Sequence, residues 1–284
     1  MNQKFIKSII PFLISLICMY LFYKEASFNL FFNELKKVNY LYIIVASLLL
    51  YLTVWLRSIR WKMLLNIDCS VYSLFKIQMI GYFANNILPL RVGEILRSFL
   101  LGKNQNISKS YVLGTVVIER FLDMIMLLFM AIICIFISPL SNIGGISIYS
   151  LLFIILGIIL AFLLIFISIS SRIIKIKLIE NFLNKFISSY RKLNFHQFLY
   201  MSLFGVLIWL IYWLNVYLVF KAFNSSVLPY QSLIILIVAS IINSVPSLPG
   251  SIGTFHFGIE LILRAFNMED NFIYTFTTIL HLYG

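Results

Sequence analysis

Residues 71–101 read VYSLFKIQMIGYFANNILPLRVGEILRSFLL, and the reading of this stretch decides the fold. It is apolar enough to enter a bilayer, yet Asn85-Asn86-Ile87-Leu88-Pro89 breaks it in the middle. Pro89 suits the start of a new helix, and Asn85 and Asn86 can satisfy backbone groups freed in the unwound part. Residues 57–68 on one side and Lys103 and Lys109 on the other are placed on the cytoplasmic face by the positive-inside bias. The stretch is therefore expected to enter and leave by the same face, as a re-entrant helical hairpin.

Outward from it lie long apolar runs at residues 6–23, 40–56, 111–138, 148–170, 199–220 and 271–283. Residues 232–265 are broken again, by Pro246-Ser247-Leu248-Pro249-Gly250-Ser251-Ile252-Gly253. Residues 172–192 hold six Lys and Arg against Glu180 alone, which makes 171–198 an expected cytoplasmic amphipathic segment. The uncharged residues 139–147 go outside. Counting spans from these anchors puts the N-terminus in the cytoplasm, residues 24–39 outside, and the second hairpin dipping from the outer face. The expectation is an all-α polytopic bundle in one integral membrane domain, residues 1–284, with about six full spans and two re-entrant hairpins. Residues 40–138 and 199–283 would form an inverted-topology repeat, as in many secondary transporters.

Composition points the same way. Of 284 residues, 62% belong to the apolar set and 11% are charged, whereas a soluble domain carries about 25% charged residues. A soluble enzyme, a disordered chain and a fibrous chain are excluded. The 22 Lys and Arg against 10 Asp and Glu give a net charge of +12, most of it in loops. Its expected partner is an anionic membrane leaflet, not nucleic acid. The three cysteines are scattered and imply neither disulfides nor a metal cluster. The run 6–23 lacks a small-residue cleavage site and reads as a first membrane helix, not a signal peptide.

Ionised side chains inside these runs carry the chemistry. Each costs roughly 2.5–3.5 kcal/mol at the centre of a lone membrane helix. Glu119, Arg120 and Asp123 lie within the run 111–138, and Glu119 and Asp123 share a helical face that must look into protein or water. A structural ion pair and a substrate site are both open readings of that face. In the first hairpin Arg91, Glu94 and Arg97 follow Pro89 with i,i+3 spacing, beside Gly93. A half-helix N-terminus with Arg91 beside it suits a phosphate. In the second, Pro246, Pro249, Gly250 and Gly253 break the run, and His256, Glu260 and Arg264 form one stripe. His256 reads either as a packing residue or as a substrate-facing proton carrier. Arg57, Arg60 and Trp61 are expected as membrane-interface anchors, with a basic mouth for lipid head groups as the alternative. No catalytic signature, metal-ligand spacing or cofactor motif is present.

The string Ala84-Asn85-Asn86-Ile87-Leu88-Pro89-Leu90-Arg91-Val92-Gly93-Glu94 with Arg97 resembles a known pattern. So do Glu119-Arg120-xx-Asp123, Pro246-xx-Pro249-Gly250-xx-Gly253-Thr254-Phe255-His256 and Arg57-xx-Arg60-Trp61. Together they are similar to the lysylphosphatidylglycerol synthase transmembrane, flippase-like family. The resemblance implies a multi-pass protein of the prokaryotic cytoplasmic membrane. It further implies movement of an anionic or aminoacylated phospholipid to the outer leaflet, with resistance to cationic peptides as a consequence. Members with lysyltransferase activity carry a separate soluble domain that this chain does not contain, so that activity is not implied. Similar proteins continue into another apolar helix after the region matching residues 279–284. The leading expectation is a lipid translocase. An anchoring partner for a separate lipid-modifying enzyme and an intramembrane enzyme using His256 and Glu260 are the competing ones.

Overall fold

The computed structural model describes residues 3–24, 26–88, 92–137, 142–143, 146–147, 195–244 and 248–284. Among the described residues the chain forms ten α-helices and one antiparallel pair of two-residue strands. The helices are α1 (Gln3–Tyr23), α2 (Phe28–Lys37), α3 (Tyr40–Leu65), α4 (Val71–Ile87), α5 (Gly93–Asn104) and α6 (Lys109–Ile137). After the strands β1 (Asn142–Ile143) and β2 (Ile146–Ser147) come α7 (Phe195–Ala222), α8 (Pro229–Ile242), α9 (Thr254–Ala265) and α10 (Asp270–Tyr283). The expected span 148–170 and most of the expected amphipathic segment 171–198 lie outside the described residues. Residues 195–198 belong to the first turn of α7.

Polar residues set the helix ends. Asn39 Oδ1 accepts from Leu41 N at 3.1 Å to start α3, and Asn66, with φ of 47°, ends it in the left-handed region. Ser70 Oγ accepts from Ser73 N at 3.2 Å to start α4. Pro229 opens α8, where the Gln231 side chain accepts from Leu228 N at 2.9 Å. Between these ends, α3, α6 and α7 are each long and apolar enough to cross a bilayer. α1, at 21 residues, reaches a similar length.

The run 271–283 lies in α10, a helix of 14 residues that packs on α9. Residues 24–39, expected as an external connection, contain α2, which rests on α10 with Phe31 and Leu35 turned toward the core. Its other face shows Phe28 and Phe32.

Helix α3 packs antiparallel to both α6 and α7, which run parallel to each other. Asn39 N donates to Ala222 O at 2.8 Å where α3 begins and α7 ends. Tyr111 Oη donates to Leu65 O at 2.9 Å where α3 ends and α6 begins. Both broken stretches fold as helical hairpins, α4 with α5 and α8 with α9. Within the first, α5 lies so close to α4 that a Cβ on Gly93 would collide with the Gly81 carbonyl oxygen and the Asn85 amide. Asn85 Oδ1 accepts from Gly93 N at 2.8 Å and its Nδ2 donates to Glu94 at 3.2 Å, so one side chain closes the turn. In the second, Pro249–Ser251 form a short 3-10 turn with Gly250 at φ 67°, and Gly253 at φ 84° precedes α9. That turn packs on α4, so the tips of the two hairpins meet. A Cβ on Gly250 would stand 3.9 Å from Asn86 O.

The core falls into two apolar clusters. One joins Trp61, Leu64, Leu65, Leu74, Ile77, Leu101, Val112, Val116 and Met201 at one end of the bundle. The other joins Met126, Met130 and Cys134 of α6 to α7, α8, α9, α10 and Phe22. Helix α6 runs through both, and Glu119 and Asp123 fall between its two apolar halves.

The Gly93–Gly81 approach yields a first prediction. Gly93→Ala should force α5 away from α4 and lower stability by about 1–3 kcal/mol, the usual cost of overpacking. Gly81→Ala should be milder, because its Cβ would lie 3.3 Å from Gly93 O. Thermal unfolding in detergent ranks the two variants; an equal ranking would contradict the proposed contact.

Candidate functional site

Six ionised side chains from three helices meet between the two apolar clusters. Arg57 and Arg60 come from α3, Arg97 from α5, and Glu119, Arg120 and Asp123 from α6. Spacing explains the arrangement. Arg57 and Arg60 are i,i+3 and face α6, where Glu119 and Asp123 are i,i+4 and face back. Ten residues separate Lys109 from Glu119, which puts the carboxylate about 15 Å along α6. That distance is about half a hydrocarbon core.

The carboxylates are saturated. Glu119 Oε1 accepts from Arg120 at 2.9 Å and Arg57 at 3.2 Å, with Arg60 Nη2 at 3.6 Å; its Oε2 accepts from Arg97 at 2.5 Å. Asp123 Oδ1 accepts from Arg60 at 2.8 Å, and its Oδ2 accepts from Arg57 at 2.9 Å with Arg120 at 3.5 Å. Aromatic groups finish the walls. Arg57 Nε donates to Tyr212 Oη at 2.9 Å, and the Arg97 guanidinium stacks 4.3 Å from the Trp61 ring centroid. Trp61 Nε1 is fixed by Thr115 Oγ1 at 3.0 Å.

Four guanidinium groups against two carboxylates leave a surplus of two positive charges. Arg57, Arg60, Arg97 and Glu119 are all at most 5% exposed. Only Arg120 reaches outward, with 37% of its side chain exposed. Several donors have no acceptor among the described residues: Nε and Nη1 of Arg60, Nε of Arg97 and Nε of Arg120. Buried charge is ordinarily neutralised and its donors satisfied. This cluster has donors and positive charge to spare, and the chemical group that fits both is an anion with several acceptor oxygens.

The expected residues divide as follows. Arg97, Glu119, Arg120 and Asp123 come together. Arg57, Arg60 and Trp61 are corrected from interface anchors to buried members of the site, because the carboxylates of α6 draw the arginines inward. Glu94 and Asn85 close the hairpin turn, and Asn86 is exposed at the tip. Arg91, Pro89 and Pro246 lie outside the described residues. The half-helix N-termini are covered, contrary to expectation. Asn85 caps α5, and the backbone of α1 at Ser15 lies against Gly253, with Ser15 Oγ accepting from Leu248 N at 3.1 Å.

The stripe on α9 forms a different group. Arg264 binds Glu260 at 2.8 Å, Asp270 at 2.6 Å and Tyr274 Oη at 3.2 Å, which fastens α9 to α10. His256 is 3% exposed among the rings of Phe22, Tyr23, Phe255 and His281. His281 Nε2 lies 2.7 Å from Gly250 O, tying α10 to the hairpin tip. These contacts match the packing reading of the stripe. The sequence reading missed Tyr212 of α7 and Tyr82 and Gln78 of α4, which are uncharged and sit in apolar runs.

Long apolar helices, two broken hairpins and an ion cluster hidden between them define a multi-pass membrane protein. The chain belongs to the family described as the lysylphosphatidylglycerol synthase TM region, whose model matches residues 8–284. It is 26% identical to a UPF0104 membrane protein of Methanocaldococcus jannaschii over 66% of this chain and 81% of that one. A UPF0104 membrane protein of Methanothermobacter thermautotrophicus is 24% identical over 82% of this chain and 78% of its own. A second protein of that type from M. jannaschii is 31% identical over 45% and 40%. No solved structure matches.

Glu119 is the hub of the cluster, so its charge should matter more than any single arginine. Glu119→Gln raises the buried surplus from two charges to three, at an expected cost of about 3–5 kcal/mol. Adding Arg97→Met restores the surplus and should recover part of the loss. A double-mutant cycle by thermal unfolding in detergent reads the coupling; strict additivity would contradict the pairing.

Proposed function

We propose that the protein is a lipid translocase that takes an anionic phospholipid head group into the arginine cluster and carries it across the bilayer while the acyl chains stay in the hydrocarbon. The observation that carries this reading is the cluster's surplus of two positive charges, with guanidinium N–H groups that have no acceptor among the described residues. Two oxygens of a phosphate diester can take such donors in the forked geometry that arginine offers. Because the oxygens of Glu119 and Asp123 are already engaged, the geometry supports phosphate capture more than capture of a cationic head group. Arg120, the cluster's partly exposed member, is the group that an arriving lipid meets first.

The paired hairpins supply the moving parts. Their tips meet at Asn86 and Gly250, and the second tip is held by His281 and Ser15. Rocking one hairpin against the other would open the cluster to either leaflet in turn, the scheme expected of an inverted repeat. In this reading the protein sits in a prokaryotic cytoplasmic membrane with its N-terminus in the cytoplasm, and the cluster-proximal ends of α3 and α6 face inward.

Purified protein in vesicles containing tail-labelled phosphatidylglycerol provides the test, with a membrane-impermeant reductant reporting outer-leaflet label. Wild-type protein should expose inner-leaflet label that protein-free vesicles keep hidden. Arg120→Ala should slow exposure by about tenfold, the worth of a charge-assisted hydrogen bond, while the unfolding midpoint stays within a few degrees. Exposure at the wild-type rate with Arg120→Ala would refute the role of the cluster in transport.

A further inference from the structure

Helix α7 brings a different set of groups to the cluster. Gly205, Trp209 and Tyr212 stand at i, i+4 and i+7 on one of its faces. Two of the three reach the arginines of α3. Tyr212 Oη accepts from Arg57 Nε at 2.9 Å, and a Cβ on Gly205 would stand 3.5 Å from Arg60 Nη1. Trp209, between them in sequence, meets the Tyr212 ring edge-on with centroids 6.1 Å apart. Its Nε1 is buried without a partner among the described residues, as are Nη1 and Nε of Arg60. The carboxylates engage Arg60 through Nη2, which leaves Nη1 for the α7 side.

Every unpartnered atom on this face is an N–H, so a complementary ligand is an acceptor. Its charge follows from the enclosed members of the cluster. Arg57, Arg60 and Arg97 are at most 5% exposed, Glu119 is 0% and Asp123 8%, and three guanidinium groups against two carboxylates leave one positive charge. The other surplus charge is that of Arg120, whose side chain is 37% exposed and can be met from outside. A single enclosed cation is neutralised by one monovalent anion. Water brings hydrogens and no charge, and the oxygens of Glu119 and Asp123 that could take those hydrogens are already engaged by arginines. A lipid phosphate is tethered to acyl chains, whereas Arg60 is 0% exposed, Trp209 is 6% exposed and Met126 closes over Gly205. The ligand that meets all these conditions is a small, dehydrated anion without hydrogens, which is a halide.

We propose that the α7 face of the cluster is a halide site, with chloride the abundant ion of that class, held by Arg60 Nη1 and Trp209 Nε1 over the bare backbone of Gly205. A side chain at Gly205 would crowd the same edge of Arg60. The site goes beyond the translocation reading and does not depend on it. One bound chloride leaves one surplus charge in the cluster, which matches the single charge of a phosphate diester.

The test is thermal unfolding of the full chain in detergent, in sodium chloride, bromide or gluconate at one fixed ionic strength. Chloride at about ten times its dissociation constant should raise the midpoint by about 3–6 °C over gluconate and saturate, and bromide should act likewise. Trp209→Phe keeps an aromatic ring beside Tyr212 but loses the N–H, and should raise the half-saturating chloride concentration about tenfold. Arg60→Met brings the enclosed charge to zero and should abolish the response. Crystals grown in bromide should place its anomalous signal within hydrogen-bonding reach of Arg60 Nη1 and Trp209 Nε1. A midpoint indifferent to halide would overturn the proposal, as would inorganic phosphate stabilising as much as chloride or an unchanged response in folded Trp209→Phe. The wild-type crystal decides even where a variant fails to fold: bromide bound only elsewhere, or a water at Arg60 Nη1, refutes the site.

Discussion

Ionised groups cannot face hydrocarbon, and the arrangement of the bundle follows from where Glu119 and Asp123 fall on α6. A long apolar helix carrying two carboxylates one turn apart needs cations at the same depth. Helix α3 supplies Arg57 and Arg60 by running antiparallel to α6, and α5 supplies Arg97 by turning back after α4. Tyr212 of α7 then satisfies Arg57 from the remaining side. Four helices are thus held in register by a handful of charge-assisted hydrogen bonds, while the apolar clusters on either side shield them from lipid. The hairpin form of α4 and α5 serves the same end. A helix as short as α5 can bring Arg97 to the depth of Glu119 only if the chain turns inside the protein, and the Gly81–Gly93 contact with the Asn85 clasp makes that turn compact.

The cluster is unbalanced, which separates it from an ordinary structural staple. A staple has no use for a third and fourth arginine once both carboxylates are paired. Each additional guanidinium costs desolvation, and removal of the excess would stabilise the bundle if packing were the whole purpose. Retained positive charge beside unaccepted donors is the feature on which the proposed anion site rests. At His256 the Nδ1 is also buried without a partner among the described residues, but the charge nearby is paired, Arg264 with Glu260 and Asp270. The aromatic surroundings and the Arg264 contacts to α10 account for the histidine as packing.

Much of this was legible in the sequence, and the misreadings have physical causes. The cost of Glu119 and Asp123 in an apolar run announced an interior site, and the Pro and Gly breaks announced both hairpins. Arg57 and Arg60 were harder. Basic residues in the last third of a membrane helix are equally well explained by snorkelling, and only the facing carboxylates distinguish the two. Tyr82, Gln78 and Tyr212 carried no signal, since polar uncharged residues are common in such helices; Tyr212 matters because it accepts from Arg57, and the other two because their buried polar atoms have no partner among the described residues. The half-helix N-termini misled because local sequence shows a helix start but not the distant Ser15 that comes to cover it.

Synthesis order gives the cluster a further significance. Arg57 leaves the ribosome 62 residues before Glu119, so the nascent α3 carries two cations with no counter-charge until α6 has been made. During that interval the two guanidinium groups, in the last third of α3, reach water by snorkelling to the interface. Pairing with Glu119 and Asp123 draws them inward, so the seating of α3 against α6 is completed only after α6 has been made.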